Sequence, residues 1–185
     1  AIWAPTEVVE CGEGRCLRLQ DRDPYDYARA LRIFEETDRA RVQVNLRIEE
    51  QGRDELELEV QDRFGNRPVQ LAFKKGGALL VRDGASWSEA VTVSPDRWLA
   101  LEIRIRTGEG RFDVVVDDEV VARDFRFFED VYTVERLLLR SGPFRTSPTR
   151  EMDPMELKTD EENGDVPVEL SSFLVDEVRI HPGQD

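Results

Sequence analysis

Phe173-Leu-Val-Asp-Glu-Val-Arg-Ile-His-Pro-Gly183, near the end of the chain, is an alternating segment whose pattern changes phase halfway. The apolar residues before Asp176 fall on one face of an extended strand and those after Glu177 fall on the other, because strand side chains alternate with a period of two. A β-bulge at Asp176–Glu177 would resolve this conflict and push the two carboxylates toward the rim of a sheet. The segment therefore predicts a bulged strand that closes the domain.

The same alternation of apolar and polar residues recurs along most of the chain. Turns containing Gly, Asn or Asp separate the alternating segments at intervals of roughly 8–12 residues, which is typical of β-sandwiches and not of βαβ units. Helical turns are predicted only at 24–30 and 125–130. Further strands are predicted at Cys16–Leu19, Ala30–Phe34, Val42–Ile48, Leu56–Val60, Val69–Phe73, Ala78–Val81, Ala90–Val93, Leu99–Ile105, Phe112–Val116, Val120–Val121 and Val134–Leu139. The predicted fold class is all-β, a sandwich of two antiparallel sheets.

The length of 185 residues indicates one domain, 1–185, with room for a two-layer core. Within it, 1–14 is predicted to be an N-terminal segment and 141–170 a long loop, since four prolines and an acidic run interrupt the alternation there. A loop of that length in a compact domain is usually functional or mobile. We expect this loop to cover one end or one face of the sandwich.

The net charge of −14 narrows the classes of partner. A chain this acidic repels phosphate backbones and anionic membrane surfaces, so we expect neither a nucleic-acid partner nor a membrane partner. No apolar run approaches the roughly 20 residues that span a bilayer. The chain does not begin with a basic and then apolar leader, so any signal peptide is expected to have been removed.

Cys11 and Cys16, the only cysteines, are predicted to form a small-loop disulfide. Two glycines in the four-residue spacer let the chain turn back tightly enough for the bond. Such a bond suits a secreted or otherwise extracytoplasmic protein. The alternative is a pair of reduced cysteines beside a hairpin. A metal site here is disfavoured, because two thiolates need further ligands and the one histidine, His181, lies at the far end of the chain.

Four features together resemble the concanavalin A-like (laminin G-like) sandwiches, which include glycan-binding and glycan-cleaving jelly rolls. They are the closing strand, Trp98 at the start of a strand, the Val116–Val121 hairpin and the segment Arg140–Arg145. The resemblance extends from about Arg15 to Gly183 and is to domains attached to sialidase-like propellers and other secreted glycan-active enzymes. It implies a jelly roll with Trp98 in the core, in a larger multidomain protein.

Calcium is the predicted cofactor, in a structural role. Asp21, Asp23 and Asp26 form an oxygen-rich loop after an early strand, and hard cations take six to eight such oxygens. The resemblance adds Asp176, because laminin G-like sandwiches often hold a calcium ion beside the closing strand. The two acidic groups would then meet where the first and last strands lie side by side. Alternatively, these aspartates cap turns and pair with nearby arginines.

The predicted ligand-binding residues are Trp87, Tyr132, Arg140 and Arg145. Flat aromatic rings stack on the C–H faces of sugars, and Trp87 lies in a hairpin-like loop where it would be half exposed. Two guanidinium forks at Arg140 and Arg145 match carboxylates bidentately, so an acidic glycan is a permitted ligand. The alternatives are packing for the aromatic residues and pairing with the chain's own carboxylates for the arginines.

Catalytic residues are not predicted, and the enzyme question is left uncertain, leaning to no. The segment Glu151-Met-Asp-Pro-Met-Glu156 resembles the catalytic motif of laminarinase-like glycosidases, which need two carboxylates about 5–5.5 Å apart. Pro154 removes a ladder donor inside the motif, and its surroundings have the pattern of a loop. With one histidine and no nucleophile-elbow sequence, a Ser-His-Asp triad is disfavoured.

The function predicted from these observations is a non-catalytic carbohydrate-binding or accessory module of a secreted glycan-active protein. One alternative is a structural or protein-interaction module without sugar affinity. A second alternative is a glycoside hydrolase or polysaccharide lyase with a jelly-roll fold. Fold alone does not separate the three, since one sandwich hosts all of them.

Overall fold

The computed structural model describes residues 3–23, 27–52, 55–142 and 167–184. In these ranges the chain forms thirteen strands and one short 3-10 turn, Thr107–Glu109. The strands are β1 (Thr6–Cys11), β2 (Gly14–Asp21), β3 (Arg29–Thr37), β4 (Arg39–Glu50), β5 (Leu56–Gln61), β6 (Val69–Phe73), β7 (Ala78–Asp83), β8 (Ser86–Thr92), β9 (Trp98–Arg106), β10 (Arg111–Val116), β11 (Glu119–Arg126), β12 (Val134–Ser141) and β13 (Ser171–Pro182).

The strands form two antiparallel sheets, which confirms the predicted sandwich. The seven-stranded sheet has the order β1-β2-β13-β4-β9-β10-β11, and the six-stranded sheet has the order β3-β12-β5-β6-β7-β8. The closing strand β13 lies between β2 and β4, so the last strand joins the beginning of the chain to the middle of its sheet. Each sheet turns one face to the common core and the other outward.

The core is built by the apolar positions of the alternating segments. On β4, Val42, Val44, Leu46 and Ile48 are buried, and the residues between them are only partly buried. The inner faces of the two sheets form one contiguous hydrophobic cluster. Each such side chain contributes about 1.5–3 kcal/mol by leaving water. The sequence pattern therefore predicted correctly the core face of strands such as β4 and β9, whereas β6 is buried on both faces.

The predicted bulge in the closing strand is confirmed. Asp176 pairs with Asn45 and Arg179 pairs with Gln43, so β13 carries one more residue than β4 between these pairs. Glu177 adopts a left-handed backbone with φ of 47°. After the bulge Ile180 packs against the core again, whereas Val178 stays 38% exposed.

The N-terminal hairpin holds the predicted disulfide. Cys11 ends β1 and Cys16 lies in β2, and the two are bonded with Cα atoms 5.9 Å apart. Gly12 takes φ of 61° in the turn between them, a conformation that glycine adopts without steric cost. The strand β1 itself was not predicted, because four of its six residues are exposed and its alternation is weak.

Two local predictions are corrected by the structure. Trp98 is half-buried on the outer face, because β9 starts in regular register with Arg47 opposite Trp98 and Leu46 opposite Leu99. The helical turn predicted at 125–130 is wrong, because residues 125 and 126 end β11, where Phe125 pairs with Phe112, and 127–130 form a non-helical connection to β12. In both cases pairing with a neighbouring strand outweighs the local pattern.

Candidate functional site

The outer face of the six-stranded sheet carries two of the predicted ligand-binding residues, Arg140 and Trp87. Cross-strand register places Arg140 of β12 opposite Glu57 of β5, and Glu59 lies two residues further along the same face. Further across the sheet, Trp87 of β8 lies opposite Arg82 of β7. We call this surface the charged face.

Arg140 lies at the centre of the charged face and is bound to two carboxylates. Its Nη2 donates to Oε2 of Glu57 at 3.0 Å, and its Nη1 lies 2.7 Å from Oε1 of Glu59. The side chains of Arg140 and Glu59 are each only 1% exposed. The predicted role of Arg140 as a fork for an acidic sugar is therefore not supported, because its two terminal nitrogens already contact the chain's own carboxylates.

Burial also changes the acidity of Glu57. Loss of solvation raises the pKa of this carboxyl above its usual value, and the nearby Arg140 guanidinium opposes the rise only in part. Repulsion from Glu59 adds to the increase. Glu57 therefore takes up a proton more readily than an exposed glutamate does.

A chain of polar contacts extends the charged face from Glu59 to the next strands. Gln61 donates to Oε2 of Glu59 at 2.8 Å, and Nη1 of Arg67 lies 3.5 Å from Oε1. Arg67 also lies 3.9 Å from Glu129, which comes from the loop after β11. The amide of Gln70 donates to the Arg67 carbonyl oxygen at 3.3 Å. These contacts hold the polar side chains of the charged face in fixed positions relative to one another.

The far side of the charged face is an aromatic box around Arg82, formed by Trp87 and Phe128. The guanidinium carbon of Arg82 lies 3.3 Å from the centre of the Phe128 ring and 5.6 Å from that of Trp87. Phe128 is held there because its backbone N–H donates to the Pro68 carbonyl oxygen at 3.0 Å. Trp87 remains 41% exposed, so one aromatic ring of the box is open to solvent.

Arg82 differs from Arg140 in the charge of its partners. Its Nη1 donates to the neutral amide oxygen of Gln70 at 3.0 Å, and no carboxylate of the described residues lies within ion-pair distance. Burial lowers the pKa of Arg82, and the positive charge of Arg67 lowers it further. A guanidinium nevertheless stays protonated in proteins. Arg82 therefore has no ion pair with a carboxylate in the described part of the chain, although the Glu129 carboxylate is near enough to oppose part of the decrease in its pKa.

Tyr132, another of the predicted ligand-binding residues, does not join this arrangement. Tyr132 is 95% exposed in the loop before β12, at one end of the sandwich. Its neighbour Thr133 donates to Glu36 at 2.6 Å, and Glu36 also pairs with Arg63. Arg145 lies outside the described residues, as does the segment 151–156.

The sheet register does not bring Asp21 and Asp176 together. Asp21 pairs with Ser171, so Asp176 lies five residues further along β13, about 17 Å away at 3.4 Å per residue. Asp21 is fully buried and accepts hydrogen bonds from the Asp23 backbone N–H and from the Ser141 hydroxyl. Among the described residues, no group of three or more potential ligands is close enough to hold a metal ion. Asp26 lies outside them, and calcium binding stays a prediction.

Sequence reasoning missed Arg82, Gln70 and Phe128. One signal was available for Arg82, since a tight hairpin at Asp83-Gly84 places it opposite Trp87. Phe128 had no such signal, because it reaches the face through a contact with a loop sixty residues earlier in the chain. No helix among the described residues is long and apolar enough to cross a membrane.

A family model described as "Sialidase-like, CBM domain" matches residues 1–156. A solved sialidase structure matches with a TM-score of 0.87 and 23% identity over 99% of this chain, which spans 16% of that chain. An alginate lyase in complex with dimannuronate matches with a TM-score of 0.56 and 8% identity, over 90% of this chain and 74% of the lyase chain. The transglycosylase Crh5 matches with a TM-score of 0.61 and 12% identity, over 96% of this chain and 76% of the Crh5 chain. No curated protein matches the sequence. These structures support the concanavalin A-like sandwich and, at such identities, only the fold.

Proposed function

We propose that this chain, which belongs to the family of sialidase-like CBM domains, is a non-catalytic module that binds an acidic glycan on its charged face. CBM denotes a carbohydrate-binding module, so binding of a carbohydrate is the function that the family suggests. The identity and charge of the sugar, and the residues that bind it, are our proposal.

The observation that carries the proposal is the aromatic box around Arg82. A guanidinium held between two rings keeps its fork in a fixed orientation, which reduces the entropy lost when it binds a carboxylate. The half-exposed Trp87 ring offers a flat apolar surface beside the positive charge. A uronic or sialic acid has the matching parts, a carboxylate and a ring with an apolar C–H face.

The local charge of the face is compatible with an acidic ligand despite the net charge of the chain. Arg67, Arg82 and Arg140 face Glu57, Glu59 and Glu129, so positive and negative groups balance within the network. Repulsion from carboxylates elsewhere on the molecule is screened beyond about 8 Å at physiological ionic strength. Within this network, Arg82 is the charged group that lies beside Trp87, with its guanidinium carbon 5.6 Å from the centre of the ring.

Glycoside hydrolysis, considered as an alternative from the sequence, is less well supported by Glu57 and Glu59. A retaining mechanism needs one ionised carboxylate free to attack the sugar and a second that donates a proton. Here Arg140 contacts both groups, at 3.0 and 2.7 Å. Neither carboxylate is then free of a cation, so the pair is better suited to shaping a binding face.

The setting that we propose is an accessory domain of a larger secreted protein. The matched sialidase is about six times the length of the segment matched here, since this chain spans 16% of it. The Cys11–Cys16 disulfide supports an oxidising compartment. In that setting a binding module holds the parent protein near its glycan substrate and raises the local concentration of that substrate.

A glycan-array screen of the wild-type chain and Trp87→Ala tests the proposal. We expect retention of glycans that contain uronic or sialic acid, and loss of that signal in Trp87→Ala. Tyr132→Ala serves as the matched aromatic control, because Tyr132 is more exposed but lies away from the box. Binding of neutral glycans alone, or equal loss in both variants, would contradict the proposed site.

A further inference from the structure

The outer face of the seven-stranded sheet, on the opposite side of the sandwich, contains a depression of about 190 Å³. We call it the outer depression. Its walls include Gln43 and Asn45 of β4 and Glu102 of β9, and its floor includes Ala100 and Val115. Register places Gln43, Glu102 and Val115 in one row across three strands. The base of the outer depression is thus built from three strands of the sheet, and Asp118 of the β10–β11 turn and Glu177 of the β13 bulge lie at its edges.

Irregular backbone surrounds this regular floor on both sides. The bulge of β13 lies on one side, and a second register shift lies between Val114 and Val115 where β10 pairs with β11. Glu177 and Asp118, which line the outer depression, both have left-handed backbones, with φ of 47° and 67°. Asp118 lies in the two-residue turn between β10 and β11, which requires positive φ at both of its central residues, so the bulge at Glu177 is the feature that points to a functional site.

A chain of hydrogen bonds fixes the polar wall. Nε2 of His181 lies 3.1 Å from Oε1 of Gln43, whose Nε2 donates to Oε2 of Glu102 at 2.7 Å. Nε of Arg104 donates to Oε1 of Glu102 at 2.6 Å. Burial alone would raise the pKa of Glu102, but the hydrogen bonds from Arg104 and Gln43 outweigh it and lower the pKa. The carboxylate stays ionised, and each of its oxygens can accept a further hydrogen bond.

We propose that the outer depression is a second carbohydrate site, which binds one neutral sugar unit. The Glu102 carboxylate is an acceptor for two sugar hydroxyls, and the amides of Gln43 and Asn45 complete a polar wall that both donates and accepts. Ala100 and Val115 supply an apolar floor for the C–H face of the ring. The carboxylates of Glu102, Asp118 and Glu177 outnumber the two arginines of the lining, so an acidic sugar is disfavoured there.

The size of the outer depression agrees with this ligand. Its volume of about 190 Å³ lies below the roughly 300–1,000 Å³ of pockets that enclose drug-sized ligands, which agrees with a site for one small sugar unit. This site uses none of the residues of the charged face, so the inference does not rest on the function proposed for Arg82.

Titration of the isotopically labelled chain with D-glucose and with D-galactose, followed by amide chemical shifts, tests the inference. We expect saturable shifts at Gln43, Asn45 and Glu102 at millimolar sugar. Ala100→Leu should abolish them, because Ala100 is exposed on the outer face and a larger side chain fills the floor. Val8→Leu, at an exposed position of the same sheet, is the matched control and should retain them.

A second variant keeps the test independent of the fit of leucine. Glu102→Gln preserves the shape of the side chain and removes its charge, so the sugar dissociation constant should rise roughly 5- to 10-fold, as expected when a charged acceptor becomes neutral. An absence of shifts with both sugars, or shifts that persist unchanged in Ala100→Leu and Glu102→Gln, would overturn the inference. Failure of the charged face to bind acidic glycans would leave these shifts in place.

Discussion

Nη1 of Arg140 lies 2.7 Å from Oε1 of Glu59, and both side chains are 1% exposed on what strand alternation marks as an outward face. A buried ion pair contributes little net stability, because desolvation offsets most of the attraction. Removal of one partner is costly, since the other charge stays buried without compensation. The pair therefore fixes the geometry of the charged face more than it stabilises the fold.

Arg140→Met should lower the free energy of unfolding by about 3–5 kcal/mol, because it leaves Glu57 and Glu59 without their shared cation. Adding Glu59→Gln to this variant should recover part of the loss. Urea denaturation at pH 7 measures both effects. The control is Arg179→Met, which removes an exposed pair with Glu177 and should cost about 0–1 kcal/mol. Equal costs at the two positions would contradict this account.

Glu57 should make stability fall as pH rises. Its pKa is higher in the folded chain than in the unfolded chain, so its favourable contribution is complete below the unfolded value and is lost as pH rises through the folded value. Glu57→Gln should therefore gain stability relative to wild type between pH 4 and pH 7. Denaturation curves at several pH values measure this difference.

Asp83 provides a control of opposite sign for that experiment. Hydrogen bonds from the Arg126 side chain and backbone lower the pKa of this carboxyl, so its contribution is present above the unfolded value and is lost at lower pH. Asp83→Asn should lose stability relative to wild type as pH rises from 3 to 5. The same trend in both variants would contradict the assigned causes.

Removal of the disulfide should have a small effect. The bond closes a short loop between Cys11 and Cys16, and the loop-entropy relation gives about 2 kcal/mol for a loop of this length. The variant that combines Cys11→Ser and Cys16→Ser should remain folded, with a melting temperature only several degrees lower. Intact mass before and after alkylation verifies the bond in the native chain. Two free thiols in oxidised protein would refute it.

Calcium binding remains a prediction, and the strand register places Asp176 too far from Asp21 to share an ion with it. If the ion binds at the Asp21–Asp26 loop alone, millimolar calcium should raise the melting temperature and EDTA should lower it, since a ligand of the folded state stabilises it. Asp23→Asn should abolish the difference, and Asp176→Asn, about 17 Å from Asp21, should keep it. Identical melting curves for decalcified and calcium-loaded protein would contradict calcium binding and would leave these aspartates with the role of capping turns.

Period-two alternation predicted strands in both sheets, as at Val69–Phe73, where the predicted and observed bounds are the same, although all five of these residues are buried and β1 was missed. It also predicted the bulge of the closing strand, because a change of phase has no other simple solution in a continuous strand. Alternation could not predict how deeply Arg140 and Glu59 are buried on an outward face, since that depends on neighbouring strands and loops. Trp98 was expected in the core because of the resemblance, whereas its place in the alternation with Leu99 correctly indicates the outer face.

The candidate site was predicted only in part. Trp87 was predicted from its hairpin, and Arg140 was predicted separately, together with Arg145, as a fork for an acidic sugar. Arg140 contacts the chain's own carboxylates, and the role of Trp87 stays a proposal. Sequence gives the number of arginines and not their partners. The distinction between Arg140 and Arg82 depends on contacts that form only when β5, β7 and the loop after β11 are assembled.

The most direct test of the central proposal is a calorimetric titration with the acidic glycan that binds best, comparing wild type with Arg82→Gln. Charge-assisted hydrogen bonds contribute about 1.5–3 kcal/mol, so Arg82→Gln should weaken binding by roughly 10- to 150-fold. Arg123→Gln, which removes an exposed arginine from the other sheet, should bind like wild type. An Arg82→Gln chain that binds the acidic glycan with wild-type affinity would contradict the account.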